Sequence, residues 1–154
     1  MRYLSISKNP FFIAWAIFED KQFISYGKEC INGIDSEERL LNIHKIACKL
    51  IEEKKPTFVL THIINADRTK KKVLDKVYEV RTVFKLVALQ NNSIYAEFET
   101  SGWEKRIISE RITDRKKLNF INRGYKIQLD DINIADAIIL AEGVAWNRLQ
   151  IGKW

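Results

Sequence analysis

The sequence predicts an α/β fold: a mixed five-stranded sheet with three antiparallel strands first, parallel crossovers after them, and helices flanking the sheet. The first thirty residues hold three short apolar runs separated by turn residues, a pattern typical of hairpins. In the rest of the chain, helix-spaced and strand-like apolar patterns alternate. With 154 residues, of which 46% are hydrophobic, the chain suits one domain, 1–154, with a full-sized core.

The three strands predicted at the start cover residues 3–6, 11–18 and 23–27. Lys8-Asn9-Pro10 separates the first two runs, and Glu19-Asp20-Lys21 separates the second from the third. Polar residues and proline in such short connections favour turns. Two successive hairpins imply that the sheet begins with antiparallel pairing.

The middle of the chain predicts two helices and two further strands. Asp35 and Glu38 have the spacing of a capping box, and Pro56 ends the helix that they begin. Residues 58–60 predict a buried, parallel strand, and residues 94–99 alternate as a half-exposed strand. Between these strands a long helix is predicted from about Asp67, because its apolar residues recur at spacings of four and three. That stripe consists of Val73, Val77, Val80, Phe84 and Val87, and Asn91 stops the helix.

The last third predicts two helices separated by a basic, less regular stretch. Ser101 and Glu104 form a second capping box, which begins a short helix carrying Trp103. Asp130 or Asp131 caps a final helix that runs to about residue 146.

Positive charge is concentrated in two windows of the chain, whose formal net charge is +6. Residues 68–85 hold seven Lys or Arg against two acids, and residues 103–126 hold eight against three. Such concentration suits phosphate backbones, although a solvated lysine-rich surface gives the same composition. The candidate nucleic-acid contacts are Lys70, Lys71, Lys72, Lys105, Arg106, Lys116 and Lys117.

Several classes of protein are disfavoured by the sequence. No apolar stretch approaches the roughly 18 residues of a membrane span, and the amino-terminal run lacks the features of a signal peptide. Cys30 and Cys48 lie far apart without metal-type spacing, so free thiols in a cytoplasmic protein are expected. The six scattered Gly form no phosphate-binding loop, so no nucleotide cofactor is expected.

Three motifs in order along the chain carry a family resemblance. The first motif is the pair of segments Leu4-Ser5-Ile6-Ser7-Lys8 and Ala14-Trp15-Ala16-Ile17-Phe18. The second is residues 98–105, around Ser101-Gly102-Trp103, and the third is residues 133–141, around Ala135-Asp136-Ala137. Together the motifs span nearly the whole sequence. This ordered set resembles the RuvC-type Holliday junction resolvases of the ribonuclease H-like fold. The resemblance implies a homodimer that recognises four-way or branched DNA by its shape and backbone.

The resemblance also implies phosphodiester hydrolysis by water held between two Mg²⁺ ions about 4 Å apart. In that family an Asp ends the first strand, a Glu ends the fourth, and two residues spaced by three on the last helix complete the ligands. Here those positions fall on Ser7, on Thr61 or His62, on Asn133, and on Asp136, which alone keeps its acid. Asp136 and Asn133 are therefore the candidate metal ligands, for Mg or Mn if the protein is active and for no metal if it is not.

Other acids could repair such a site. Asp67 follows the fourth strand closely, and Glu97 or Glu99 could face the same region, whereas Glu19 and Asp20 belong to the wrong edge of the sheet. The turn Lys8-Asn9-Pro10-Phe11-Phe12 is bulky where the family has small residues. Asp136 could also be only a helix-start residue, and His62 only a hydrogen-bonded core residue.

Three functional hypotheses remain open at this point. The first is a junction-binding, RuvC-like protein with a degenerate or lost nuclease site. The second is an active Mg-dependent junction endonuclease whose ligands are rearranged around Asp136. The third is a structural or regulatory subunit that has the same fold and does not bind DNA.

Overall fold

A computed structural model describes residues 1–7, 9–63, 70–99 and 113–146. Within them, a five-stranded sheet has the strand order β3-β2-β1-β4-β5. The strands are β1 (Arg2–Ile6), β2 (Phe12–Glu19), β3 (Gln22–Cys30), β4 (Phe58–Ile63) and β5 (Ile94–Glu99). The helices are α1 (Ser36–Lys54), α2 (Lys71–Gln90), α3 (Asp114–Tyr125) and α4 (Ile132–Ala145).

The pairing of the strands confirms the predicted mixed sheet. β1 pairs with β2, and β2 with β3, in antiparallel register. β1 pairs with β4, and β4 with β5, in parallel register. Consequently β1, β4 and β5 all end at one edge of the sheet, where β2 begins, and this edge is called the carboxyl edge below.

The two faces of the sheet carry separate apolar clusters, because successive side chains of a strand point to opposite faces. Leu4, Ile6, Trp15 and Val59 pack against α1 and α2 on one face. Ala14, Ala16, Leu60 and Phe98 pack against α3 and α4 on the other, which is called the α4 face.

The first two helices match their predictions at the described residues. Asp35 Oδ1 accepts a hydrogen bond from Glu38 N at 2.8 Å, and Glu38 Oε2 accepts one from Ile34 N at 2.9 Å, so the capping box is confirmed. α1 ends at Lys54, before Pro56, and Asn91 is the C-cap of α2 as predicted. The expected start of α2 near Asp67 lies outside the described residues.

The prediction of an irregular basic stretch is wrong for residues 114–125, which form α3. Thr113 caps this helix by accepting a hydrogen bond from Lys116 N at 3.3 Å. Its buried face is small and only partly apolar, since only Lys117 and Ile121 are buried, and most of its other residues are charged or amide side chains. The apolar residues of this segment therefore show little of the periodicity that predicts a helix. The helix predicted after Ser101 lies outside the described residues.

α4 is buried on nearly every side. Asp131 caps it, and every residue from Ile134 to Ala145 is buried between the sheet and α3. A helix that is apolar all round is expected in such a position. Because of this burial, any charged residue on α4 needs a partner within the protein.

Candidate functional site

Asp136 lies on the buried helix α4 and forms an ion pair with Lys117 of α3. Lys117 Nζ donates to Asp136 Oδ1 at 2.6 Å, and each side chain is only 11% exposed. An ionised carboxylate in such surroundings is tolerated only when it is paired and hydrogen-bonded. The ammonium group therefore supplies the positive charge that Asp136 requires in the folded protein.

Ser7 follows β1 on the face that α4 covers. Its backbone N–H donates to Ala14 O at 2.9 Å, which continues the β1–β2 ladder. Two residues earlier, Ser5 Oγ donates to Ala137 O, so β1 contacts α4 directly beside Asp136. The Ser7 side chain is buried, and its Oγ has no hydrogen-bond partner among the described residues. Ser7, which follows the first strand, and Asp136 thus lie on the same face of the sheet, the α4 face.

The two candidates on β4 point to opposite faces. His62 is in register with Phe98, whose ring packs on the α4 face. Thr61 is in register with Ile6, which packs against α1 and α2. Both residues are buried. The structure thus brings His62 to the face of Ser7 and Asp136, and it does not bring Thr61 there.

Asn133 lies in the first turn of α4 within a polar network. Its N–H and its Nδ2 donate to Asp131 Oδ1 at 2.9 and 3.2 Å, and Asn9 Nδ2 donates to Asn133 Oδ1 at 3.4 Å. Lys28 Nζ contacts Asp131 Oδ2 at 2.8 Å. The Asn133 carboxamide therefore connects the β1–β2 turn to the start of α4.

These residues do not fit a centre for two divalent cations. Ser7, His62, Asn133 and Asp136 offer a hydroxyl, an imidazole, a carboxamide and one carboxylate, and Lys117 already neutralises the carboxylate. Mg²⁺ prefers oxygen ligands and, at protein sites, carboxylates. Within the described ranges no group of three or more His, Cys, Asp or Glu residues could hold a metal.

Three of the acids considered as replacements, Glu97, Glu19 and Asp20, have other partners. A fourth, Glu99, is exposed at the end of β5 and follows Glu97 by two residues, so it belongs to the same face as Glu97. Glu97 contacts Arg81 on the face covered by α1 and α2. Burial acts to raise the pKa of Glu97, yet hydrogen bonding and attraction from Arg81 lower this pKa on balance. Glu19 bonds to Arg2, and Asp20 to the amino terminus, at the opposite edge. Asp67 lies outside the described residues.

The predicted nucleic-acid contacts fall into three groups. Lys70, Lys71 and Lys72 are exposed at the start of α2, and Lys116 is exposed on α3. Lys117 is placed differently, because its amine is buried against Asp136 and does not face solvent. Lys105 and Arg106 lie outside the described residues.

Sequence reasoning missed the residues that organise the β1–β2 turn. Arg39 Nη2 donates to Pro10 O at 2.5 Å and to Lys76 O at 3.3 Å, which joins the turn to α2. Asn9 Oδ1 accepts from Phe11 N at 2.8 Å. The Asn-Pro sequence did signal a turn, but nothing local marked Arg39 as its anchor.

None of the helices in the described ranges is both long and apolar enough to cross a bilayer. Cys30 and Cys48 are free thiols, as predicted.

No protein-family model and no curated protein sequence matches the chain. Solved structures do match it. RuvC of T. thermophilus in complex with a Holliday junction substrate superimposes with a TM-score of 0.79 at 13% identity, over 96% of each chain. The yeast mitochondrial Holliday junction resolvase Ydc2 gives 0.61 at 10% identity, over 95% of this chain and 78% of that one. Fowlpox virus resolvase, in complex with substrate Holliday junction DNA, gives 0.55 at 18% identity, over 97% and 100%.

These likenesses extend over nearly the whole chain, and the observed strand order and mixed pairing agree with them. The predicted fold is confirmed: the chain has the ribonuclease H-like, RuvC-like fold of Holliday junction resolvases.

Proposed function

We propose that this protein binds branched DNA, such as a four-way junction, and does not cut it with a two-metal centre. Two of the structural neighbours are complexes with Holliday junction DNA, which supports this class of ligand on this fold. We also propose that the chain forms one domain and assembles as a homodimer. We place the protein in the cytoplasm, because thiols usually stay reduced there.

The observation that carries DNA binding is the lysine cluster at the start of α2. Lys70, Lys71 and Lys72 are all exposed there, no side chain caps the helix, and its first turn has no acid. Cations at a helix amino terminus oppose the helix dipole and repel one another. Three of them together destabilise the free protein, and a bound phosphate backbone would reverse that effect.

The position of this cluster connects it to the candidate site. Lys76, on the second turn of α2, lies with its Nζ 5.3 Å from the centre of the Phe11 ring in the β1–β2 turn. The same turn reaches α4 through the contact between Asn9 and Asn133. Through the β1–β2 turn, the lysines are thus connected to the start of α4, the helix that carries the buried Asp136.

The loss of cleavage rests on the ion pair between Lys117 and Asp136. A divalent cation at Asp136 would have to displace a buried ammonium group that donates at 2.6 Å. Ser7 and Asn133 bring no charge to replace it. The resolvase fold would then act by binding and holding a junction.

Equilibrium binding to a labelled four-way junction and to a duplex of equal length, in EDTA, tests this proposal. We expect the junction to bind at least about ten-fold more tightly, with affinity falling steeply between about 50 and 200 mM salt. Replacing Lys70, Lys71 and Lys72 by Gln should reduce the slope of log K against log salt by about two to three.

The matched control replaces Lys45, Lys49 and Lys55 by Gln, which removes the same charge from exposed positions on and just after α1. This control should keep the slope of the unmodified protein. Equal affinity for junction and duplex, or no measurable binding to either, would contradict the proposed function.

A further inference from the structure

Phe11 is an exposed aromatic residue at the carboxyl edge of the sheet. Its side chain is 58% exposed, although it stands in a turn whose neighbouring residues Pro10 and Phe12 are buried or half-buried. Exposed apolar residues are common on protein surfaces and alone indicate nothing. The hydrogen-bonded backbone of Phe11 and the lysine over its ring indicate a binding role for this residue.

The backbone of the turn is fixed on both sides of Phe11. Asn9 Oδ1 accepts hydrogen bonds from Phe11 N at 2.8 Å and from Phe12 N at 3.3 Å. Phe11 O accepts one from Ile31 N at 3.1 Å. Arg39, whose side chain is 12% exposed, donates to Pro10 O at 2.5 Å. The ring is thus presented to solvent by a rigid support, which lowers the entropy lost when a ligand packs on it.

One lysine lies over this ring, and three more precede it along the chain at the start of α2. Lys76 Nζ lies 5.3 Å from its centre, and Lys70, Lys71 and Lys72 are the N-cap and the first two residues of the same helix. Cationic side chains near an exposed aromatic ring match the two parts of a nucleotide, because the phosphate takes the charge and the base takes the ring face. A single ring in a cationic setting is a poor match for a protein partner, whose interface needs a larger apolar area.

We propose that Phe11 stacks on an unpaired or splayed base at the branch point of the DNA. Bases inside a continuous duplex are already stacked on both faces, so Phe11 can pack only where the stack is interrupted. The residue would therefore favour branched over continuous DNA. This inference rests on the proposed function and adds to it the residue that distinguishes the two ligands.

Phe11→Ala and Phe11→Trp, measured on the full chain with the labelled junction and the matched duplex, test the inference. Loss of one stacking contact should weaken junction binding by about ten-fold and leave duplex binding unchanged within about two-fold. The Trp variant should keep the junction affinity. With 2-aminopurine placed at the branch point, its fluorescence should change on binding the unmodified protein and change less with Phe11→Ala.

Leu89→Ala is the matched control, because Leu89 is 59% exposed near the far end of α2. It should bind both ligands like the unmodified protein. If Phe11→Ala binds the junction with unchanged affinity, or weakens junction and duplex equally, the stacking role is wrong and the proposed function stands. If the unmodified protein does not prefer the junction, the proposed function itself fails. A change in sedimentation caused by Phe11→Ala would assign the ring to a contact between copies and overturn the inference.

Discussion

At the scale of single residues, the candidate site is marked by a buried ion pair between α3 and α4. The Asp136 carboxylate contacts the ammonium group of Lys117 at 2.6 Å. Removing one member of a buried ion pair leaves the other charge without compensation, whereas replacing both by apolar groups is far less costly. This difference makes the pair testable by stability alone.

Lys117→Met should lower the free energy of unfolding by about 3 kcal/mol, because it leaves the Asp136 carboxylate buried without its ion-pair partner. The double variant Lys117→Met with Asp136→Leu should recover most of that loss. Urea denaturation at neutral pH measures both values.

Lys116→Met serves as the control for this measurement, since Lys116 is the exposed neighbour on the same helix. Its effect should stay within about 0.5 kcal/mol. If Lys117→Met costs no more than Lys116→Met, the ion pair does not hold Asp136 in the folded protein.

At the scale of elements, the start of α4 sets the position of Asn133 and Asp136. Asp131 caps this helix by accepting from Asn133 N at 2.9 Å, and it also binds Lys28 of β3 at 2.8 Å. Burial acts to raise the pKa of Asp131, but the hydrogen bonds from Lys28 and Asn133 lower it below its ordinary value. The cap thus joins the helix to the antiparallel half of the sheet.

Asp131→Ala should lower the free energy of unfolding by about 1 kcal/mol at neutral pH, the usual cost of losing a capping side chain. Because folding lowers the pKa of Asp131, its charge stabilises the protein above the unfolded pKa of about 3.9, and this stabilisation is lost as the pH falls through the lower, folded value. The difference between the two proteins should therefore shrink below about pH 4.

Denaturation of both proteins across this pH range measures the effect, with Asp130→Ala as the control. Asp130 is the exposed neighbouring acid and does not cap the helix. A stability difference for Asp131→Ala that is independent of pH would show that its charge is not involved.

At the scale of the whole molecule, local patterns were enough to predict the sheet and three of the four helices that the described residues contain. The two hairpins, the parallel β4 and the stripe of α2 each reflect spacing within one segment. α3 was missed because its buried face is completed by Lys117, a residue that reads as polar in any pattern.

The candidate site was predicted less completely, for a physical reason. The position of Asp136 followed from its own helix, but its pairing with Lys117 depends on how α3 packs against α4. Likewise, the choice between Thr61 and His62 depends on which face of β4 meets α4, and their adjacent positions left that choice open. Contacts between elements of this kind leave no local pattern in the sequence.

We propose above that the protein binds a junction and does not cut it. The most direct test incubates the protein with an end-labelled four-way junction in Mg²⁺ or Mn²⁺ and runs each sample on a native and a denaturing gel. We predict a retarded complex on the native gel and full-length strands on the denaturing gel. Strand cleavage near the branch point that disappears in the Asp136→Asn variant would contradict the account.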